Sequence, residues 1–324
     1  MILVTGGAGY IGSHCILKLI EKGYEVVAFD NLTAEKQETI CKLGSLGLAG
    51  FVQGSLLNTE HIWNAFCGNK IDAVIHCAEL QQSGEIKNET RKLYRENVVG
   101  TLNLLDTMDR FHVDKIVFSS SALIYGDMAQ SSIKEDCNKF PSSAYAQTKL
   151  ICERMLNDYS KEYDIKFASL RYFDVAGTDV KSEITTCKSQ PNLIVDIIKS
   201  AVYNEVIEIP EIDIKTDYVD IEDLAQAYLS ALEYLEKGGK SDYFNIGTDT
   251  RCSVGELITL CEKTIGQAVP AKAIENKNYT PSRPLLDCAK AKAVLDWIPK
   301  RTIEDSSLSV YLYETFKKKE LLNA

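Results

Sequence analysis

The sequence predicts an α/β protein: a doubly wound parallel sheet with helices on both faces, followed by a smaller mixed α/β C-terminal lobe. Three observations predict it. Short apolar runs alternate with helical periods through the first half of the chain, the pattern of repeated βα units. The first apolar run, Ile2-Leu3-Val4, leads through glycines at 6, 9 and 12 into a helical period over Cys15 to Lys22. After Phe173 the alternation gives way to a polar loop and scattered short elements. We expect a first domain over 1–173 and a second lobe over 174–324, with elements near 217–247 returning to the first.

The first βα unit carries the sharpest signal. Gly6 and Gly9 let the backbone turn tightly and approach a pyrophosphate, and Gly12 lets the helix pack close to the strand. The helix N-terminus adds free N–H groups and a partial positive charge. A glycine motif alone also fits a tight turn with no ligand. Here a second strand, Glu25 to Phe29, ends on Asp30, and an acid about 20 residues past the glycines binds adenosine ribose hydroxyls. Asn31, Leu32 and Thr33 follow, so no Arg is placed for a 2′-phosphate. The unit reads as Rossmann-type, with NAD favoured over NADP.

The other elements follow in order. Phe51-Val52-Gln53-Gly54 is a short strand, and Thr59 to Phe66 is a helix with Asn58 or Thr59 as N-cap. Ala73 to His76 is a fourth strand, Arg91 to Arg110 a long helix, and Lys115 to Ser119 a fifth strand ending in Ser120-Ser121-Ala122. Tyr145 to Tyr159 is helical and Phe167 to Phe173 is a sixth strand. Beyond it come a helix over Leu193 to Val202, a strand over Val206 to Ile209, and a strand running into a helix from Asp217 to Ala225. A strand at Phe244 to Gly247 follows, then a helix to Ile265 opened by the capping box Ser253-Val254-Gly255-Glu256, and a last helix or two within 270–324.

Composition excludes several classes. The net charge of -10 argues against nucleic-acid partners and against an anionic membrane surface. The first strand begins at residue 2, leaving no room for a charged leader, and no apolar run approaches a membrane span. Ten cysteines without a CxxC pair, and four scattered histidines, fit reduced thiols in a cytoplasmic protein and no metal site.

Tyr145-Ala146-Gln147-Thr148-Lys149 is the second sharp signal. Residues four apart share a helix face. A tyrosine pKa of roughly 10 is too high for a base at neutral pH. A cation roughly 5 Å away at an effective dielectric of about 20 favours the phenolate by about 3 kcal/mol, or about two pKa units. Lys149 is therefore expected to lower the Tyr145 pKa into the range useful for proton transfer. The same spacing also fits a solvated helix face. Ser121, ending a strand upstream, is placed to hydrogen-bond the same substrate hydroxyl as Tyr145.

At this point the sequence resembles the extended short-chain dehydrogenase/reductase superfamily, and within it most closely the UDP-glucose 4-epimerase (UDP-galactose 4-epimerase) family. The resemblance covers almost the whole chain. It is carried by Thr5 to His14, Asp30-Asn31-Leu32, Glu96-Asn97-Val98-Val99-Gly100-Thr101, Ser119-Ser120-Ser121-Ala122 with Tyr125-Gly126, Tyr145 with Lys149, Arg171-Tyr172-Phe173, and Asp217-Tyr218-Val219 with Asp223-Leu224-Ala225. It implies tightly bound NAD, a UDP-hexose substrate and inversion at sugar C4 through a 4-keto intermediate. Tyr145 would take the proton of the 4-hydroxyl, Ser121 would orient that hydroxyl, and Lys149 would tune Tyr145 and hold the nicotinamide ribose. The cofactor contacts it implies are Gly6, Gly9, Tyr10, Ile11, Gly12, Asp30, Asn31, Leu56, Asn97, Lys149 and Tyr172. The substrate contacts are Ser121, Tyr145, Asp174, Asn192 and Lys277. Nucleotide-sugar 4,6-dehydratases carry an Asp-Glu pair just after the serine or threonine; Ala122 and Leu123 stand there instead.

The family's pattern is broken at clustered positions. On the cofactor side, Ser55 stands for an acid, Glu79 for a glycine and Gln81 for a phosphate-facing lysine. On the sugar-nucleotide side, Asp174 stands for Asn, Thr216 for Arg, and Lys277 for a second Arg, while Asn192 matches and the loop Pro210 to Lys215 is short. A carboxylate about 5 Å from a diphosphate costs about 3 kcal/mol at effective dielectric 20, and losing an Arg costs a similar amount, unless Lys215, Lys277 or Arg283 compensates. Three outcomes stay open: an epimerase with a rewired diphosphate site, an epimerase or reductase of another nucleotide sugar, and a non-catalytic NAD-binding sibling. The helices containing Leu102, Leu105, Leu150 and Met155 form the dimer interface in the resembling family, which implies a homodimer; their apolar faces also fit plain core. His14 and His76 read as structural, and Lys317-Lys318-Lys319 as a solvated helix end.

Overall fold

A computed structural model describes residues 1–33, 36–81, 89–127, 132–179, 192–210, 215–274 and 283–323. The first units are β1 (Ile2–Thr5), α1 (Tyr10–Glu21), β2 (Val26–Asp30), α2 (Gln37–Ser45), β3 (Gly50–Gln53), α3 (Thr59–Cys67) and β4 (Ala73–His76). Then come α4 (Glu89–Leu93), a π-helical turn (Tyr94–Val99), α5 (Gly100–Arg110), β5 (Lys115–Ser119), a 3-10 turn (Ala122–Tyr125) and β6 (Ser132–Ile133). They are followed by α6 (Ala144–Glu162), β7 (Lys166–Arg171), β8 (Asp174–Ala176), α7 (Leu193–Tyr203), β9 (Ile207–Pro210), β10 (Lys215–Thr216) and β11 (Tyr218–Asp220). The chain continues with α8 (Ile221–Glu236), β12 (Asp242–Asn245), β13 (Cys252–Ser253), α9 (Val254–Ile265), β14 (Ala271–Ile274), β15 (Leu285–Leu286), α10 (Ala289–Leu295) and α11 (Ile303–Asn323).

The expected doubly wound sheet is present. Seven parallel strands lie in the order β12-β7-β5-β4-β1-β2-β3. Strands β1, β2 and β4 are buried along their whole length, as a sheet covered on both faces requires. One layer packs α1 and α8 on the sheet through Ile16, Leu19, Leu224 and Tyr228. The other packs α3, α5 and α6 through Phe66, Leu104, Met108 and Leu156. Each such side chain contributes about 1.5–3 kcal/mol of burial. The strand order reverses between β1 and β4, opening a crevice at the carboxyl ends of those strands.

Beyond β7, short two-stranded ladders pair β8 with β11, β9 with β14, β10 with β13, and β6 with β15. Helices α7, α9 and α11 share a second core around Ile194, Ile198, Leu257, Cys261 and Val310. The capping box opening α9 is formed by Ser253 and Glu256, and Asn58 caps α3 through the Glu60 N–H.

Two expectations need correction. The long helix over Arg91 to Arg110 is three segments, because Tyr94–Val99 winds as a π-helix. Ser121 does not end a strand: β5 stops at Ser119, and Ser121 is the N-cap of the 3-10 turn, its Oγ accepting from the Leu123 N–H at 3.2 Å. Helix α2, which the sequence expectations do not include, fills the β2–β3 crossover and buries Leu43. Among the described residues, no helix is long and apolar enough to cross a membrane.

Candidate active site

The glycine turn after β1 is shaped by close approaches. Gly6 has φ +69°, and a Cβ there would lie 2.7 Å from the Ala78 backbone nitrogen. A Cβ on Gly12 would fall 2.2 Å from the Gly6 carbonyl oxygen, so α1 lies against the turn as no other residue permits. Gly9 caps α1 without a side chain, and Tyr10 and Ile11 form its buried first turn. The Tyr10 hydroxyl donates to the Gly177 carbonyl at 2.6 Å.

Asp30, at the end of β2, is buried. Its carboxylate accepts from the Ala8 N–H at 3.2 Å and the Leu32 N–H at 3.0 Å, and pairs with Lys36 Nζ at 3.3 Å. With Asn31, Ser55 and Leu56 it lines a cavity of about 180 Å³ running from Phe29 to Glu79 and bordered by Lys36 and Lys92.

Behind Glu79, which lines that cavity, lies the chemistry-bearing pair. Tyr145 and Lys149 project from one face of α6. Lys149 is almost fully buried; its Nζ donates to the Ser119 carbonyl at 2.6 Å and lies 5.0 Å from the Phe118 ring centroid. Its charge is met by Glu79, with which it forms a buried ion pair. The Tyr145 hydroxyl donates to the same Glu79 oxygen at 3.0 Å, and Gln81 Nε2 donates to the other at 2.8 Å. This reverses the expected electrostatics. Burial, followed by the Glu79 charge, pushes the Tyr145 hydroxyl well above the ordinary tyrosine value. The carboxylate cancels the cation that was to favour the phenolate.

Asn97 fixes the loop that carries Glu79. Its Oδ1 accepts from the Leu80 N–H at 2.7 Å, and its Nδ2 donates to the Leu80 carbonyl at 3.0 Å and to Thr148 Oγ1 at 3.1 Å. Asn97 sits in the π-helical turn, a form that recurs at functional sites. Tyr172 is turned into the interior, its hydroxyl shared with Ser119 Oγ at 2.6 Å and Tyr228 at 3.0 Å.

Behind these groups lies a buried network. Glu153 accepts from Ser120 Oγ at 2.7 Å, Ser169 Oγ at 2.8 Å and Arg171 Nε at 2.8 Å, and its second oxygen pairs with Arg171 Nη2 at 2.7 Å. Arg171 Nη1 donates to the Tyr125 hydroxyl at 2.8 Å, which donates to Asn245 Oδ1 at 2.7 Å. Beyond β7, Asp174 begins β8 and Thr216 ends β10. Asn192 caps α7 through the Val195 N–H and donates to the Val175 carbonyl at 2.9 Å.

Comparison with known proteins decides the family. Residues 2–247 match the NAD dependent epimerase/dehydratase family. The chain is 34% identical over 317 residues to the UDP-glucose 4-epimerase of Bacillus subtilis, covering 94% of both chains. It is 34% identical over 308 residues to that of Halalkalibacterium halodurans, covering 92% of this chain and 90% of the other. The chain belongs to the NAD-dependent epimerase/dehydratase family. Among solved members of that family, the UDP-glucose-4-epimerase from Stenotrophomonas maltophila with bound NAD and formylated UDP-arabinopyranose superposes with TM-score 0.92 at 28% identity, over 98% of this chain and 99% of that one. The Bifidobacterium longum enzyme in complex with NAD+ and UDP superposes with TM-score 0.88 at 28% identity, over 98% of each chain.

In this epimerase/dehydratase-family chain the turn and the α1 N-terminus suit a dinucleotide. A side chain at Gly6 would collide with the Ala78 backbone and one at Gly12 with the Gly6 carbonyl, so the tight turn depends on both glycines, and Asp30 lines the cavity beside it. At the far end, the Lys149 ammonium is occupied by the Glu79 carboxylate. The structure gathers Gly6, Gly9, Asp30, Asn31 and Leu56 around the cavity, with Asn97, Tyr145 and Lys149 at the Glu79 end. Lys277 lies outside the described residues. Sequence reasoning missed Lys36, Lys92 and the Glu153 network; a basic residue six positions after Asp30 was the one signal available for Lys36. His76 is a fixed hinge between Thr5 Oγ1 (2.7 Å) and Thr101 Oγ1 (2.9 Å), and burial, then Lys149, lowers its pKa to about 3. His14 is held by the Tyr10 carbonyl at 2.7 Å and accepts the Asp179 N–H at 3.1 Å.

Proposed function

We propose that the protein is an NAD-dependent epimerase that inverts C4 of a UDP-hexose, interconverting UDP-galactose and UDP-glucose. The observation that carries this is Tyr145 and Lys149 on one face of α6, at the carboxyl edge of the sheet, in a chain that aligns with UDP-glucose 4-epimerases over nearly its whole length.

The residues divide the work. Gly6, Gly9 and the α1 N-terminus hold the pyrophosphate, and Asp30 and Asn31 the adenosine ribose. NAD, when bound, accepts and returns the hydride at the sugar carbon. Tyr145 removes the proton of the 4-hydroxyl and returns it, Ser121 orients that hydroxyl, and Lys149 stabilises the phenolate once Glu79 has moved away. On the substrate side, Asp174, Asn192 and Arg283 border the nucleotide's diphosphate.

The chain works as a cytoplasmic homodimer in this reading. Leu105 and Leu150, expected at the interface, are buried inside the chain, while Val99 and Leu102 keep exposed apolar surface beside them. Those two residues, on the π-helical turn and on α5, support pairing through that helix, and light scattering at micromolar concentration checks it.

A second reading, a non-catalytic NAD-binding sibling, is favoured by one observation, the Glu79 carboxylate on both Tyr145 and Lys149. Proton NMR of the protein with UDP-galactose and added NAD, beside Tyr145→Phe, separates the two. Formation of UDP-glucose by the wild type alone establishes the epimerase. Its absence, with NAD shown to be bound, rejects it.

A further inference from the structure

We propose that Glu79 divides the dinucleotide cleft into an open adenosine-diphosphate half and a nicotinamide-riboside half that a ligand enters only by displacing Glu79. The proposal rests on the reading above that Lys149 and Tyr145 face the nicotinamide ribose and the sugar.

The two halves differ in what already fills them. The adenosine side is a cavity of about 180 Å³ bordered by Gly9, Asp30, Lys36, Ser55, Leu56 and Leu80. It presents the glycine turn and Lys92 to a phosphate, with Lys36 beside them paired to Asp30. The other side is closed by a side chain of this protein. Glu79 is 5% exposed against a Lys149 that is 2% exposed. Its two oxygens take the Lys149 ammonium, the Tyr145 hydroxyl at 3.0 Å and the Gln81 amide at 2.8 Å. The backbone beside it is pinned on both sides of Leu80 by Asn97.

A ribose hydroxyl arriving at Lys149 therefore meets an ammonium already engaged by the Glu79 carboxylate and the Ser119 carbonyl. It has to strip a hydrogen-bonded carboxylate from a buried cation, and that displacement subtracts from whatever the nicotinamide end contributes. An adenosine diphosphate reaches the outer half without disturbing Glu79. The chemistry predicts a protein that ranks ADP beside NAD, where an unobstructed dinucleotide site ranks NAD well above it.

Isothermal titration calorimetry of the full chain with ADP and with NAD tests this in the wild type, Glu79→Gly and Glu79→Gln. We expect wild-type Kd values for ADP and NAD within about threefold. In Glu79→Gly, NAD binding tightens at least tenfold while ADP is unchanged. Glu79→Gln, similar in size but uncharged, releases Lys149 and gives a smaller gain for NAD. The proposal is overturned if wild-type NAD binds more than tenfold tighter than ADP, if ADP does not bind, or if both variants leave NAD unchanged. Should Glu79→Gly lose ADP binding through misfolding, Glu79→Gln decides. Failure of the epimerase reading is a separate result: no UDP-glucose from any variant with NAD bound, whatever the ratio of the two affinities.

Discussion

Arg283 Nη1 donates to Asp174 Oδ2 at 2.7 Å, and the Thr216 hydroxyl donates to the same oxygen at 3.0 Å. The acid that replaces an amide in the family's pattern thus comes with its own cation, whose guanidinium also lies 5.3 Å from the Phe173 ring centroid. The repulsion of about 3 kcal/mol expected from Asp174 alone is offset locally. Both partners are partly exposed, so the pair itself contributes about 0–1 kcal/mol to stability. Its effect is on where positive charge is available to a diphosphate.

Asp174→Asn removes the partner that holds Arg283 and the charge that repels phosphate. We expect UDP to bind about tenfold tighter, and Arg283→Ala, which leaves Asp174 uncompensated, to weaken it at least tenfold. Calorimetry with UDP reads both. No change in either variant places the diphosphate elsewhere.

Tyr145→Phe keeps the ring in its pocket and removes the hydroxyl. Turnover falls by about 10²–10⁴, read by proton NMR, with the circular dichroism of the wild type retained. A variant within threefold of wild type would assign proton transfer to another group.

Glu153→Ala leaves the Arg171 guanidinium buried without its carboxylate and strands the Ser120 and Ser169 hydroxyls. Breaking one side of a buried pair costs about 3–5 kcal/mol. Urea denaturation should show a loss of that size, and a loss below about 1 kcal/mol would contradict the network's role.

Asp217 is buried, accepting the Thr248 N–H at 3.0 Å and its hydroxyl at 2.6 Å, and burial raises its pKa to about 6. The unfolded carboxyl titrates near 3.9. The folded state therefore holds the extra proton between the two values, and its stabilising contribution is lost as pH rises through about 6, a change of about 3 kcal/mol. Asp217→Asn can still accept from Thr248 and does not ionise. It should gain about 3 kcal/mol on the wild type between pH 4 and pH 7 in denaturant titrations. A constant difference over that range would refute this.

Much of this was legible in the chain because its signals are local. The Ile2 to Gly12 turn, Asp30 at a strand end and the Ser253 to Glu256 capping box each lie within a few residues. The positions of Glu79 and Asp174 as departures were also visible. What they do was not, because it depends on partners far away in sequence: Glu79 reaches α6, and Asp174 reaches Arg283. A Tyr-to-Lys spacing predicts a neighbouring cation, yet it cannot register a carboxylate arriving from another loop. The π-helical turn escaped for a similar reason, since one irregular turn leaves the apolar positions around it unchanged.

The seventh strand of the main sheet has a consequence for synthesis. β12 pairs with β7 from Asp242 opposite Ala168 to Asn245 opposite Arg171, and the Asn245 side chain completes the polar cluster around Tyr125. Until residue 245 leaves the ribosome, the nascent chain carries β7 as a bare edge, with a half-built charged core behind it. Such an edge is a template for pairing with other chains. Ribosome-bound intermediates stopped between Phe173 and Asp242 should therefore be the ones that recruit chaperones, and releasing the next few residues should end that dependence.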